Sequence, residues 1–153
     1  MPTKFVKGDL FAEGIKALAH GCNCGGAMGK GIAVEFRKRF PEMYAEYKER
    51  CADGRFKLGD VFVWTEKDLT VFNLGTQKHW RTKPELPAIE KSVKAMVQHA
   101  EHAGIQRIGL PKIGAGLGAL PWDKVRSVLS AAGAQSSVEL VVFEEFAKAG
   151  APT

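Results

Sequence analysis

The stretch His20-Gly-Cys-Asn-Cys-Gly-Gly-Ala-Met-Gly-Lys-Gly-Ile-Ala33 decides the reading of the chain. Five of its fourteen residues, Gly21, Gly25, Gly26, Gly29 and Gly31, are glycine, and helical spacing begins as it ends. Glycine lets a backbone turn with positive φ and come close to a ligand, at a cost in chain entropy that something must offset. The first N–H groups of a helix have no intrahelical partner, and the dipole there favours an anion. A strand, a glycine loop and a helix in that order read as a phosphate cradle. The loop matches neither G-x-G-x-x-G nor G-x-x-x-x-G-K-[ST], so the usual nucleotide signatures are not met.

Working outward, Lys4–Asp9 and Ile15–His20 read as strands on either side of a turn. Ile32, Ala33, Phe36 and Phe40 recur at near-helical spacing from Lys30. Pro41 opens a second helix with Met43, Tyr44 and Tyr47 on its apolar face, closed at Asp53-Gly54. Gly59–Thr65 and Leu69–Leu74 are β-branched and aromatic and form a hairpin over Glu66-Lys67-Asp68. After the basic stretch Thr76–Lys83, Pro84 opens a long helix that presents Ile89, Val93, Met96, Val97 and Ala100 and ends at Gly104. Ile105–Pro111 is a strand feeding a second glycine loop, Ile113–Gly118. Trp122–Ala131 is a helix and Val138–Phe143 the last strand.

This alternation predicts an α/β layered domain over residues 1–153 with a largely parallel sheet, whose ligands sit beyond the carboxyl ends of the strands. Both glycine loops leave such ends, so together they would grip a diphosphate. The chain has 153 residues, a formal charge of +5 and three cysteines, Cys22, Cys24 and Cys51. The positive charge favours anionic partners. Sparse, odd cysteine usage suits a reducing cytoplasm better than a disulfide framework, and Cys22-Asn-Cys24 lacks the second pair a zinc site needs. The sequence shows no apolar run of membrane-spanning length and no signal-peptide pattern, so a cytoplasmic protein without membrane partner, metal or cofactor is expected.

Val6-Lys-Gly-Asp9 with Leu10, Ala19-His20 followed by Met28-Gly-Lys-Gly-Ile-Ala33, and Pro111-Lys-Ile-Gly-Ala-Gly-Leu117 with Trp122 resemble the macrodomain family, whose members bind ADP-ribose. The resemblance spans nearly the whole chain. It is nearest the branch of the terminal ADP-ribose protein glycohydrolase and the antitoxins that remove ADP-ribose from DNA, which Lys78-His-Trp-Arg81 is especially like. It implies a three-layer α/β/α fold with a mixed, largely parallel sheet. The implied activity is hydrolysis of ADP-ribosyl linkages on protein or nucleic acid, or deacylation of O-acyl-ADP-ribose. The chain would act as a monomer.

The same resemblance implies site roles. Asp9 would accept from the adenine amino group and Leu10 would offer its backbone N–H. Met28, Gly29, Lys30, Gly31, Ile32 and Ala33 would wrap the distal ribose and a phosphate, with Thr76 and Ile113 beside them. Gly114, Ala115, Gly116, Leu117 and Gly118 would supply donors to the diphosphate, and Phe143 would pack on the adenine. Two positions depart from the terminal glycohydrolase, the second of them, a glycine, being shared with the DNA-directed antitoxins. Gln77 stands where the glycohydrolase has a lysine nucleophile, with Lys78 one place later, and Gly118 stands where it has an aspartate. Chemistry then falls to Lys78, or to a water held by the first loop while Lys30 or Lys78 stabilises developing charge. Asn23 would orient that water or a ribose hydroxyl, or its amide closes an Asx turn. Without turnover the chain would be an ADP-ribose reader. Lys78–Lys83 also admits a third reading, a basic nucleic-acid-binding domain.

Overall fold

A computed structural model describes residues 1–114 and 120–148. Six strands form one sheet: β1 (Lys4–Gly8), β2 (Ala17–Asn23), β3 (Val61–Glu66), β4 (Leu69–Gln77), β5 (Arg107–Pro111) and β6 (Glu139–Phe146). Their order across the sheet is β1-β6-β5-β2-β4-β3. Every neighbouring pair is parallel except β3 with β4, the expected hairpin, which is antiparallel. Four helices complete the fold: α1 (Ile32–Arg39), α2 (Pro41–Ala52), α3 (Leu86–Ala103) and α4 (Trp122–Ala134).

The three layers follow from side-chain alternation along the strands. Ala17 and Ala19 of β2, Phe72 and Leu74 of β4 and Leu140 and Val142 of β6 join Ile89, Val93 and Met96 of α3 and Val125 and Leu129 of α4 in one core. The intervening residues, Leu18 and Cys22, Val71, and Val141 and Phe143, join Phe36 of α1 and Met43 and Tyr47 of α2 in the other. A sheet buried on both faces reads as continuous apolar runs, as these strands do. Phe36 is fully buried, and truncating such a ring to alanine costs about 3–5 kcal/mol.

Local chemistry sets most boundaries. Proline occupies the first turn of α2 and of α3. Gly104, at φ 73°, ends α3 by donating its N–H to the carbonyls of Ala100 and Glu101. Several boundaries differ from those the sequence predicts. β2 runs to Asn23, so Gly21, Cys22 and Asn23 belong to the sheet and not to the loop. Gly21 is tolerated because Thr76 of β4 approaches its backbone; an added Cβ would lie 3.0 Å from the Thr76 hydroxyl. The helix α1 begins at Ile32, which leaves Lys30 in the loop.

Candidate functional site

Because five strands run parallel, the carboxyl ends of β1, β2, β4, β5 and β6 share one rim. Asp9 follows β1, the first glycine loop follows β2, the basic turn follows β4, and the second glycine loop follows β5.

The first loop is pinned by its own first residue. Asn23 Oδ1 accepts from the N–H of Gly25 at 3.0 Å and of Ala27 at 3.3 Å, and its Nδ2 donates to the Ala27 carbonyl at 2.7 Å. The Asn23 carbonyl accepts from the buried Tyr47 hydroxyl at 2.6 Å. Cys24 N–H donates to Gln77 O at 2.9 Å, which ties the ends of β2 and β4. Of the two roles weighed for Asn23, the structure shows the turn: the amide shapes the loop. Beyond it, Gly29, Lys30 and Gly31 are exposed, and a Cβ on either glycine would meet nothing within 4 Å. Gly31 caps α1 at φ 60°, ψ −144°, a glycine conformation, with no side chain bonded to the helix end. The N–H groups of Ile32 and Ala33 therefore find no protein acceptor among the described residues. That helix start leaves two backbone donors open to an outside acceptor.

The other expected residues fall as follows. Asp9 Oδ1 accepts from Phe11 N–H at 3.0 Å, leaving Oδ2 for an outside donor. Leu10, Met28 and Ile113 are buried core residues, so only their backbones can serve a ligand. Thr76 is buried and donates its hydroxyl to Cys22 O at 3.3 Å. Phe143 is 8% exposed beneath Gly8, so it offers an edge at most. Gly114, at φ 71°, accepts from Leu120 N–H at 3.1 Å and closes the second loop. Ala115, Gly116, Leu117 and Gly118 lie outside the described residues.

Gln77 is spent on structure. Its Nε2 donates to His79 O and Thr82 O, each at 2.9 Å, which uses both amide hydrogens. Lys78, exposed, is the next residue of that turn.

Beneath the first loop, His20 is stacked on Phe36 with ring centroids 3.9 Å apart and planes 9° from parallel. The Asn73 amide donates to Phe62 O, so its Oδ1 accepts from His20 Nε2–H at 2.7 Å and fixes the neutral tautomer. Burial lowers the His20 pKa from 6.5 to about 4, partly offset by the Asn73 bond. This is a satisfied core histidine. Burial raises all three thiols, Cys24 to about 12, so they pack and do not attack.

Two features escaped the sequence reading. Tyr47, taken only as an apolar face residue, holds the first loop through its hydroxyl. Phe146, 72% exposed, pairs with Gly8 at the rim because β6 runs three residues past Phe143. The two charges that masked this extension are matched: Glu144 accepts from Trp122 Nε1 at 2.7 Å, and Glu145 lies 3.9 Å from Lys7. A cleft of about 890 Å³ lies at the opposite rim, where its charges pair with one another, as in Lys16–Asp68 at 3.1 Å. Among the described residues no cluster of His, Cys, Asp or Glu could hold a metal ion, and no helix is long and apolar enough to cross a membrane.

A family model described as "Macro domain" matches residues 19–129. The chain belongs to this family. A macrodomain it resembles in structure is that of Thermus aquaticus DarG, with a TM-score of 0.83 and 34% identity over 93% of this chain and 97% of that one. The Thermus aquaticus protein named DNA ADP-ribosyl glycohydrolase is 35% identical over 146 residues, 92% of this chain. This macrodomain spans 41% of that relative's length. Human ADP-ribose glycohydrolase OARD1 is 31% identical over 140 residues, 91% of this chain and 89% of its own.

Proposed function

We propose that this macrodomain hydrolyses ADP-ribosyl linkages. The observation that carries the reading is the unblocked start of α1 beneath Gly29–Gly31, at the rim formed by the carboxyl ends of the parallel strands. Peptide N–H groups and a helix dipole in that position suit a diphosphate and leave the distal ribose against the first loop. The relatives named as glycohydrolases support hydrolysis as the reaction.

In the reaction a nucleophile adds to the anomeric carbon of the distal ribose as the bond to the carrier breaks, and the carrier leaves with a proton. Gln77 cannot serve, since an amide is a poor nucleophile and this one is committed to its turn. Either the Lys78 amine attacks and water then hydrolyses the lysine–ribose adduct to free ADP-ribose and the amine, or a water seated between the first loop and a substrate phosphate attacks directly. In the water route Lys30 or Lys78 stabilises the charge that develops, in a geometry fixed by Asn23 and Tyr47. The protein needs no metal or other cofactor for either route. It would work as a cytoplasmic monomer on ADP-ribosylated protein or nucleic acid.

The test is release of free ADP-ribose from glutamate-modified protein, thymidine- and guanosine-modified DNA, and deacylation of O-acetyl-ADP-ribose. Loss of turnover in Lys78→Ala identifies the displaced lysine, and survival identifies the water route. The committed Gln77 amide favours one second reading, an ADP-ribose reader. It predicts intact binding of ADP-ribose with a flat substrate panel.

A further inference from the structure

His79 stands where the turn after β4 meets the first glycine loop. A Cβ on Gly25 would lie 2.9 Å from His79 Cδ2 and 3.6 Å from its Cγ, so the Cγ–Cδ2 edge of the imidazole rests on that loop's backbone. The loop is itself held there, since Gly25 N–H donates to Asn23 Oδ1 at 3.0 Å. The turn grips the histidine from its own side. His79 N–H donates to the Thr82 hydroxyl at 3.1 Å, and that hydroxyl donates to His79 O at 3.0 Å. Gln77 Nε2 donates to the same carbonyl at 2.9 Å. The Trp80 ring lies 5.4 Å from the imidazole, tilted by 35°.

The same turn sets the tautomer. Arg81 N–H donates to His79 Nδ1 at 3.3 Å. A backbone amide can only donate, so Nδ1 presents its lone pair and the neutral ring carries its hydrogen on Nε2. A proton on Nδ1 would set two donors against each other. Nε2, the ring atom next to Cδ2, has no acceptor among the described residues. A solvated surface histidine would have no need of this bracing. Here loop and turn together hold one tautomer, with its free N–H at the margin of the first loop.

The reaction asks for such a donor. As the anomeric carbon of the distal ribose is attacked, the bond to the carrier breaks and its electron pair passes to the leaving oxygen or nitrogen. Charge develops on that atom, and a preorganised N–H facing it lowers the barrier without giving up its proton. Gln77 cannot supply it, because both its amide hydrogens are used. Thr76 cannot either, because its hydroxyl is turned to Cys22 O.

We propose that His79 Nε2–H is a catalytic hydrogen-bond donor to the atom that leaves the distal ribose. This rests on the hydrolase reading and adds the group that meets the leaving atom's charge. His79 stays neutral throughout. The proton released by the attacking amine or water reaches the departing carrier through solvent.

The experiment compares the full chain with His79→Phe and His79→Gln on an ADP-ribosylated glutamate peptide and on ADP-ribosylated thymidine. Calorimetry gives the Kd of ADP-ribose for each. Phenylalanine keeps a flat ring on Gly25 and has no N–H, whereas glutamine carries an amide N–H near the place of Nε2. On each probe that the wild type turns over, His79→Phe should lower kcat at least roughly hundredfold, the loss expected for one such donor. KM and the ADP-ribose Kd should stay within about twofold, and His79→Gln should recover at least about tenfold of the lost kcat. An unchanged kcat in His79→Phe overturns the donor and leaves the hydrolase standing. So do equal losses in the two variants, or a loss carried by KM and Kd, either of which makes the ring a wall of the site. No release of ADP-ribose by the wild type from either probe, with ADP-ribose still bound, overturns the hydrolase reading and the donor with it.

Discussion

Lowering the pH from 7 to 5 should destabilise the fold through His20. The ring is buried, stacked on Phe36, and holds its one acceptor, Asn73 Oδ1, as a neutral donor. Its pKa in the fold is about 4 against an ordinary 6.5. Below pH 6.5 the unfolded chain gains a proton that the folded chain refuses until about pH 4, so stability falls across that window and levels off beneath it. Each pH decade is worth about 1.4 kcal/mol, which makes the loss about 2 kcal/mol at pH 5 and about 3 kcal/mol in full. Against a typical total of roughly 5–15 kcal/mol this is a large share. Urea unfolding followed by tryptophan fluorescence at pH 7, 6, 5 and 4.5 measures it. His20→Gln, which keeps a donor for Asn73 but cannot titrate, should be less stable at pH 7 and much flatter in pH. A wild-type midpoint unchanged between pH 7 and 5 would refute the reasoning. So would an equal slope in His20→Gln, or His20 ring signals that titrate near 6.5 in NMR.

Three further outcomes follow from the rim. Tyr47→Phe orphans the Asn23 carbonyl and should cost about 1–2 kcal/mol in denaturant, with weaker ADP-ribose binding as the first loop loosens. Asp9→Asn keeps an oxygen for Phe11 N–H but loses the charged acceptor, so calorimetry should show ADP-ribose affinity down about tenfold; an unchanged Kd removes Asp9 from the site. Gly31→Ala forces an L-residue to φ 60°, ψ −144° and should cost about 1–3 kcal/mol, read as a lowered Tm together with lost ligand binding.

The alternation of apolar runs with helical faces made the layers readable from sequence, and turn chemistry placed Gly104 and Pro41 correctly. Strand ends were harder. β2 continues through Gly21 to Asn23 because β4 lies alongside to receive its hydrogen bonds, a fact of pairing that no local pattern encodes. β6 carries Glu144 and Glu145, which read as the end of a strand until Trp122 and Lys7 are seen beside them. The glycine loop announced a cradle, yet the Asn23 that shapes it is itself held by a tyrosine hydroxyl from twenty-four residues away. Gln77 was noticed as the wrong residue for a nucleophile. Its two bonds across the turn depend on backbone directions, which residue type does not report.

The strand order has a consequence for synthesis. β1 is made first but pairs only with β6, made last, so the N-terminal strand has no place to dock until the final strand has been translated. Until then β5 presents an unpaired apolar edge, the kind of surface that joins chains to one another. The hairpin of β3 and β4 and the pairing of β2 can form earlier. A ribosome stalled before residue 139 would therefore hold five strands and four helices with an adhesive margin, and truncations there should aggregate where the domain with β6 does not.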